Sequence, residues 1–287
     1  MNEYIIMTDS GSDLPVGLAE ELAVRVLPLN VTFDDGVSVP DDQIPRKEFY
    51  GKLRGGQMAK TSAVNIDEFL TAFEPYLQNG TDVLYVGFSS GLSSTYQASK
   101  MAAEELMEKY PDRKVIAVDS LCASLGEGLL VYHAVQEKRA GKSIEEVAAW
   151  LENNKMSLVH WFTVDDLNFL KRGGRISATT ALVGGMLQIK PVMHVDDEGH
   201  LTKVTTARGR RASIKALFDK IPATATRPED QIFFISHGDC LEDAEYLAGL
   251  IKEAYPGVTV VCDYVGAVIG AHSGPGTLAL FFLGSER

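Results

Sequence analysis

The chain has 287 residues, a length that favours one large domain or two coupled domains over three independent cores. Apolar residues make up 45% of the sequence and aromatic residues 8%, which is the balance of a globular protein and excludes extensive disorder. The formal net charge of −12 excludes a surface that attracts nucleic acid or anionic membrane over its whole area. Contact with an anionic partner therefore requires a local basic patch.

The cysteines and the N-terminus suggest an intracellular protein without a metal. Cys122, Cys240 and Cys262 lack metal-ligand spacing, and the histidines show no H-E-x-x-H pairing, so we expect reduced thiols and no cofactor. A P-loop and a G-x-G-x-x-G motif are both missing. The N-terminus is typical of a strand, and no apolar run reaches the ~18 residues that span a bilayer. We expect a cytoplasmic location.

The first half of the chain alternates β-rich runs with helical patterns. The predicted strands are residues 4–8, 24–33, 83–88 and 115–118. The predicted helices are residues 15–23, 66–77, 95–110 and 126–139. This alternation predicts right-handed βαβ crossovers and a mainly parallel sheet with helices on both faces. Ligands on such sheets lie beyond the carboxyl ends of the strands, which here lead into serine-containing loops.

A polar run at residues 153–155 is the best candidate for a domain boundary. We predict an N-terminal α/β domain at residues 1–155 and a C-terminal α/β domain at residues 156–287. In the second domain, strands at 191–195 and 201–205 flank the turn sequence DDEG, which is typical of a hairpin. The C-terminal sheet is therefore predicted to be mixed or antiparallel, with further strands at 157–163, 232–236 and 258–262.

The segment GFSSG at residues 87–91 matches the nucleophile elbow of serine hydrolases, because it follows a predicted strand and precedes a predicted helix. Ser89, Asp263 and His272 occur in the chain order that such a triad requires. No His-Gly-Gly oxyanion loop lies upstream. The alternative is a serine-rich turn between a strand and a helix with a purely structural role.

The same turn is also suited to binding an anion without a nucleophile. Amides at the start of the predicted helix carry partial positive charge, and Ser93 and Ser94 add hydroxyl groups. Ser94 with Gln97 also matches a capping box, which would make one serine structural. Thr61 and Ser62 offer a second pair of hydroxyl groups in a predicted loop.

His272 lies in the glycine-rich segment GAHSGPG, whose small residues permit close approach of the backbone to a ligand. A satisfied structural histidine is the alternative. Two basic clusters, at residues 171–175 and 208–211, stand out against the acidic background. They are either solvated surface or sites that recognise carboxylates or phosphates of a partner.

Several segments together resemble the DegV family of bacterial lipid-binding proteins. They are TDS at 8–10, KTS at 60–62, SSGLSSTYQ at 89–97, LKRGGRI at 170–176, KP at 190–191 and GAHSGPG at 270–276. Each is common alone, but their combination in this order is specific. The resemblance implies a two-domain α/β fold with a long-chain fatty acid between the domains. It also implies a carrier subunit that presents the acid to a separate fatty acid kinase, which yields an acyl phosphate for phospholipid synthesis.

The resemblance also implies roles for individual residues. The fatty acid carboxylate is expected to be held by hydroxyl groups and a histidine, namely Thr61, Ser62, Ser93, Ser94 and His272. Arg172 and Arg175 are expected to dock the kinase. No catalysis by the chain itself is expected, and we expect a monomer when it is isolated. The alternatives are a serine hydrolase using Ser89 and a lipid sensor without a kinase partner.

Overall fold

The computed structural model describes residues 3–181 and 188–287. The strands are β1 (Tyr4–Asp9), β2 (Arg25–Leu27), β3 (Asn30–Phe33), β4 (Ser38–Pro40), β5 (Ala59–Ser62), β6 (Asp82–Gly87), β7 (Val115–Asp119), β8 (Leu158–Thr163), β9 (Ile189–Val195), β10 (Leu201–Arg208), β11 (Ile232–His237), β12 (Thr259–Tyr264) and β13 (Leu278–Leu283). The helices are α1 (Val16–Glu21), α2 (Arg46–Arg54), α3 (Ile66–Gln78), α4 (Thr95–Lys109), α5 (Leu125–Arg139), α6 (Ile144–Asn154), α7 (Leu167–Arg172), α8 (Ala178–Ala181), α9 (Arg210–Phe218), α10 (Lys220–Thr224), α11 (Leu241–Ala254) and α12 (Ala267–Ser273).

These strands form three sheets. The N-terminal sheet has the order β2-β1-β6-β7 and is parallel throughout, as the βαβ pattern predicts. The large sheet has the order β10-β9-β8-β13-β11-β12, in which only β11 and β12 pair in parallel. The small sheet, β4-β3-β5, is antiparallel. The predicted α/β fold with a parallel and a mixed sheet is therefore confirmed.

Helix α5 lies between the N-terminal sheet and the large sheet and contacts strands of both. Most of its length is buried, and its apolar residues occur on every side, which is typical of a helix enclosed by protein. One apolar core therefore runs from Val86 in β6 through Leu129 in α5 to Phe281 in β13. The boundary between residues 155 and 156 remains a prediction, and this core contains residues from both sides of it.

The small sheet was not predicted. Residues 24–33 form two strands in different sheets instead of one, and between them the N–H of Leu29 donates to the Ser10 hydroxyl at 3.0 Å. The predicted loop at residues 60–62 is strand β5, in which Thr61 pairs with Val31 of β3. Strands this short carry too few residues for an alternating pattern to be visible.

Helix α12 was also missed, because its sequence AVIGAHS resembles an apolar strand followed by a loop. Gly270 lies in this helix, and a Cβ there would lie 2.6 Å from the Tyr50 hydroxyl of α2. The same hydroxyl donates to the carbonyl of Val265 at 2.8 Å. The glycine therefore allows α12 to pack closely on α2, where we had expected close approach to a ligand.

Asp9, at the end of β1, holds two turns of the N-terminal sheet together. Its carboxylate accepts from the N–H of Gly11 at 2.8 Å, from the N–H of Phe88 at 3.1 Å and from the Tyr85 hydroxyl. Burial raises the pKa of Asp9, and these donors oppose the rise. The turn after β6 is thereby placed beside the turn after β1, and Phe88 of the turn after β6 lines the cavity described below.

Candidate functional site

A cavity of about 220 Å³ lies where the small sheet, the turn before α4, the start of α5, the large sheet and α12 meet. Much of its wall is apolar, and its apolar residues include Leu29, Phe88, Leu92, Phe162, Leu170, Val265, Val268 and Ile269. For scale, an engineered apolar cavity of ~150 Å³ admits benzene. The cavity can therefore enclose part of an apolar chain without rearrangement.

Thr61 and His272 meet at one edge of this cavity. The Thr61 hydroxyl lies 2.7 Å from Nε2 of His272, although the two residues are 211 positions apart in sequence. Both residues also line a second cavity of about 320 Å³, whose wall includes the basic residues Lys60 and Arg172. The Thr61–His272 pair therefore lies between an apolar interior and a more basic outer cavity.

His272 is neutral at neutral pH in the structure. Burial, together with the nearby Arg175 guanidinium, lowers its pKa to about 4. Its Nδ1 is buried without a hydrogen-bond partner among the described residues. A Cβ at Gly173 would lie 2.2 Å from this Nδ1, so the ring position depends on the glycine. The neutral ring offers one N–H donor and one nitrogen acceptor.

Arg175 brings a positive charge to the same cavity. Its guanidinium donates to the carbonyl of Leu92 at 2.9 Å and to the carbonyl of Gly173. It is partly buried, and desolvation lowers its pKa without removing its charge. The arginine therefore joins the turn before α4 to the segment after α7, and its place is at the cavity wall instead of on an open surface.

Ser93 and Ser94 both line the cavity. The Ser93 hydroxyl accepts from the N–H of Thr95 at 3.2 Å and lies 2.8 Å from the Thr95 hydroxyl. Ser94 is the residue that precedes α4, but its side chain makes no capping hydrogen bond. The predicted capping box with Gln97 is therefore wrong, because Ser93 binds the first amide instead. The Ser94 hydroxyl remains available to a ligand.

Ser62 and Arg172 lie apart from the inner cavity. Side chains alternate along β5, so Ser62 is exposed on the face opposite to Thr61 and does not line the cavity. The structure thus brings together Thr61, Ser93, Ser94 and His272 but leaves Ser62 outside. Arg172 is exposed at the end of α7, with its guanidinium 4.6 Å from the centre of the Phe169 ring.

The geometry does not assemble the predicted hydrolase triad. The Ser89 hydroxyl is fully buried, donates to the carbonyl of Gly199 at 2.9 Å and accepts from the N–H of Gly91. His272 contacts Thr61, and Asp263 accepts from the N–H of Tyr264. Ser89 is therefore a structural serine that fastens the hairpin between β9 and β10 to the turn after β6.

The cavity also has polar residues that were not found from the sequence. Ser124, His160 and Ser236 line it from the start of α5, from β8 and from β11. Each lies in or beside a buried apolar run, where a single polar residue gives no signal by itself. Their contribution depends on neighbours that are more than a hundred residues away, as between Ser124 and Ser236.

Fold and site together define an α/β protein with a largely apolar cavity, whose wall also carries a hydroxyl, an imidazole and a guanidinium. The chain belongs to the DegV family. The family model described as "Uncharacterised protein, DegV family" matches residues 4–285. A DegV domain-containing protein of Clostridium perfringens strain 13 is 48% identical over 289 residues, which cover 100% of this chain and 99% of that protein. The resemblance predicted from the sequence is confirmed.

Solved structures agree with this assignment. A DegV family protein from Thermus thermophilus, described by its fatty acid binding, is 31% identical with a TM-score of 0.86, covering 99% of this chain and 100% of that one. DegV from Bacillus subtilis, described as a fatty acid binding protein, is 26% identical with a TM-score of 0.87, with the same coverage. In the described ranges, no helix is long and apolar enough to cross a membrane. Within those ranges, no cluster of three or more histidine, cysteine or acidic residues is placed to hold a metal ion.

Proposed function

We propose that this protein binds a long-chain fatty acid and presents it to a separate fatty acid kinase, which forms the acyl phosphate. The chain itself carries out no catalysis and needs no cofactor. The observation that carries the proposal is the combination of a largely apolar cavity with Thr61, His272 and Arg175 at its wall. The fatty acid binding described for the Thermus thermophilus and Bacillus subtilis relatives supports it.

The apolar wall and the polar groups contribute differently to the free energy of binding. Burying a sixteen-carbon tail removes about 15 methylene or methyl groups from water, worth at most ~12 kcal/mol before association and ordering costs. Each hydrogen bond to the charged head group adds ~1.5–3 kcal/mol. The tail therefore dominates affinity, while the head-group contacts set orientation and prevent a buried carboxylate from remaining unpaired.

The Thr61–His272 pair suits a carboxylate if the histidine N–H donates to the threonine. Nε2–H of His272 then donates to Oγ1 of Thr61, and the Thr61 hydroxyl proton is free to bond the ligand. Arg175 supplies the opposite charge, and Ser94 or Ser93 a second hydroxyl. A bound carboxylate also favours protonation of His272, so its pKa rises on binding.

We assign kinase docking to Arg172, because it is exposed beside the outer cavity that the Thr61–His272 pair borders. The Arg172→Glu variant should reduce kinase turnover at limiting carrier by about tenfold or more, since it reverses a charge at the docking surface. Retention of fatty acid should be unchanged. Arg211→Glu, a reversal in the second basic cluster, is the matched control. Equal turnover of both variants, or loss of fatty acid from Arg172→Glu, would contradict this assignment.

The remaining expectations are part of the same proposal. We place the ligand between an N-terminal domain of residues 1–155 and a C-terminal domain of residues 156–287. The protein is a cytoplasmic monomer when isolated and contributes acyl groups to phospholipid synthesis. A lipid sensor with another protein partner is separated from this function by reconstitution with a fatty acid kinase, because only the carrier supports acyl-phosphate formation.

The first experiment is native mass spectrometry of the purified protein, followed by organic extraction and identification of the released compound. We expect a near-stoichiometric long-chain fatty acid, because the apolar wall retains a tail that water excludes. A protein that is empty and also fails to take up added fatty acid would refute the proposal.

A further inference from the structure

The largely apolar cavity wall also carries polar residues away from the Thr61–His272 pair. Ser124, His160, Ser236 and Ser273 also line it, and all four are at least nine-tenths buried. Ser124 contacts Asp13 and Ser236, and neither serine hydrogen-bonds to the Thr61–His272 pair. A saturated hydrocarbon tail offers nothing to these groups, and burying polar atoms without partners is costly. The wall therefore has more polar character than a plain fatty acid requires.

Ser124 has an unusual backbone conformation, and its hydroxyl does not cap helix α5. It is the residue before α5, where serine normally accepts from an amide of the first turn, yet its side chain makes no capping bond. Its φ of 55° and ψ of −149° are strained for a residue other than glycine. The hydroxyl instead contacts Oδ2 of Asp13 and lies 2.9 Å from the hydroxyl of Ser236.

The hydrogen bonds among Asp13, Ser124 and Ser236 leave the Ser236 hydroxyl able to form a further hydrogen bond. Ser124 has one hydroxyl proton and cannot donate to both neighbours. If it donates to Asp13, Ser236 donates to Ser124 and keeps acceptor positions for a ligand. If Asp13 carries the proton, Ser124 donates to Ser236, whose own proton is free. Burial raises the pKa of Asp13 well above its ordinary value, which favours the second arrangement.

His160 and Ser273 also line the cavity, and each carries a buried polar atom without a partner among the described residues. These atoms are Nδ1 of His160 and the Ser273 hydroxyl oxygen. The pKa of His160 is held well below its ordinary value by burial, so the ring is neutral. It lies between two aromatic residues, with its centre 4.7 Å from that of Phe281. Both His160 and Ser273 line the cavity, so its wall suits a neutral polar group in the ligand.

We propose that the cavity selects a fatty acid carrying a hydroxyl group along its chain, which Ser236 and its neighbours bind. A hydroxyl both donates and accepts, so it fits either arrangement of the Asp13–Ser124–Ser236 protons. A ketone or an epoxide only accepts and fits one arrangement. This inference rests on the proposed fatty acid binding and names the ligand class within it.

The test compares stearate with positional isomers of monohydroxystearate, each measured by displacement of a fluorescent fatty acid. At least one isomer should bind the native protein at least about tenfold more tightly than it binds Ser236→Ala, because one hydrogen bond to a buried hydroxyl is lost. Stearate should bind both proteins within about twofold. Ser213→Ala is the matched control, since Ser213 is fully buried in α9 and outside the cavity.

A second variant shows whether the loss of binding in Ser236→Ala comes from a folding defect. Ser124→Gly removes the hydroxyl that contacts Ser236 and suits the positive φ, so it should also lower the preference for the hydroxylated isomer. If every isomer changes by the same factor as stearate in both variants, waters satisfy these groups and the inference is overturned. If neither stearate nor any isomer binds the native protein, the proposed function fails and this inference fails with it.

Discussion

Replacing Thr61 and Ser93 together by alanine is expected to stop productive transfer while fatty acid still binds. Both hydroxyls face the cavity, and Thr61 is joined to His272. Removing the donors to a carboxylate costs about 3 kcal/mol, which weakens binding about 150-fold. The apolar wall is unchanged, so tail burial continues to hold the ligand. Acyl-phosphate formation with kinase should fall to background, because the head group is no longer fixed.

The control for this experiment is the neighbouring residue of the same strand. Ser62→Ala removes a hydroxyl from the exposed face of β5, opposite to Thr61, and should change affinity by less than about twofold. Affinity is measured by displacement of a fluorescent fatty acid, and turnover by acyl-phosphate formation. A double variant that supports turnover at the native rate would remove Thr61 and Ser93 from the site. An effect of Ser62→Ala equal to that of Thr61→Ala would show that strand β5 faces the other way.

The Gly173→Ala variant is expected to disable the site without replacing any polar residue. Gly173 has φ of −70°, which alanine adopts without strain, so the effect is steric. The new Cβ would lie 2.2 Å from Nδ1 of His272 and 3.1 Å from Cγ, so the ring must move. Loss of the Thr61–His272 contact should weaken fatty acid binding by about tenfold or more. The crowding should also lower the free energy of unfolding by ~1–3 kcal/mol.

A double-mutant cycle shows whether the effect passes through the histidine. In a His272→Ala background the added methyl group meets no ring, so Gly173→Ala should cost no further affinity and little stability. Gly249→Ala is the control, because nothing lies within 4 Å of a Cβ at that helical position. Additive losses of affinity in the double variant would contradict the role of Gly173 as the residue that makes room for His272.

The sequence predicted the features that depend on neighbouring residues. The parallel N-terminal sheet follows from alternating strand and helix patterns, and the hairpin of β9 and β10 follows from the turn sequence between them. Motifs that resemble the DegV family predicted the site residues Thr61, Ser93, Ser94 and His272. The family assignment is confirmed. Local periodicity and motif order are present in a single chain without any knowledge of its contacts.

The tertiary structure decided how these residues are used. It placed Ser62 on the outer face of an unpredicted strand and Arg175 in the cavity wall, and it buried Ser89 as a structural serine. It also joined Ser124 to Ser236 across 112 positions. Whether a hydroxyl caps a helix, fastens a loop or faces a ligand depends on which groups surround it after folding. Those partners come from distant segments, so the residue types alone do not determine them.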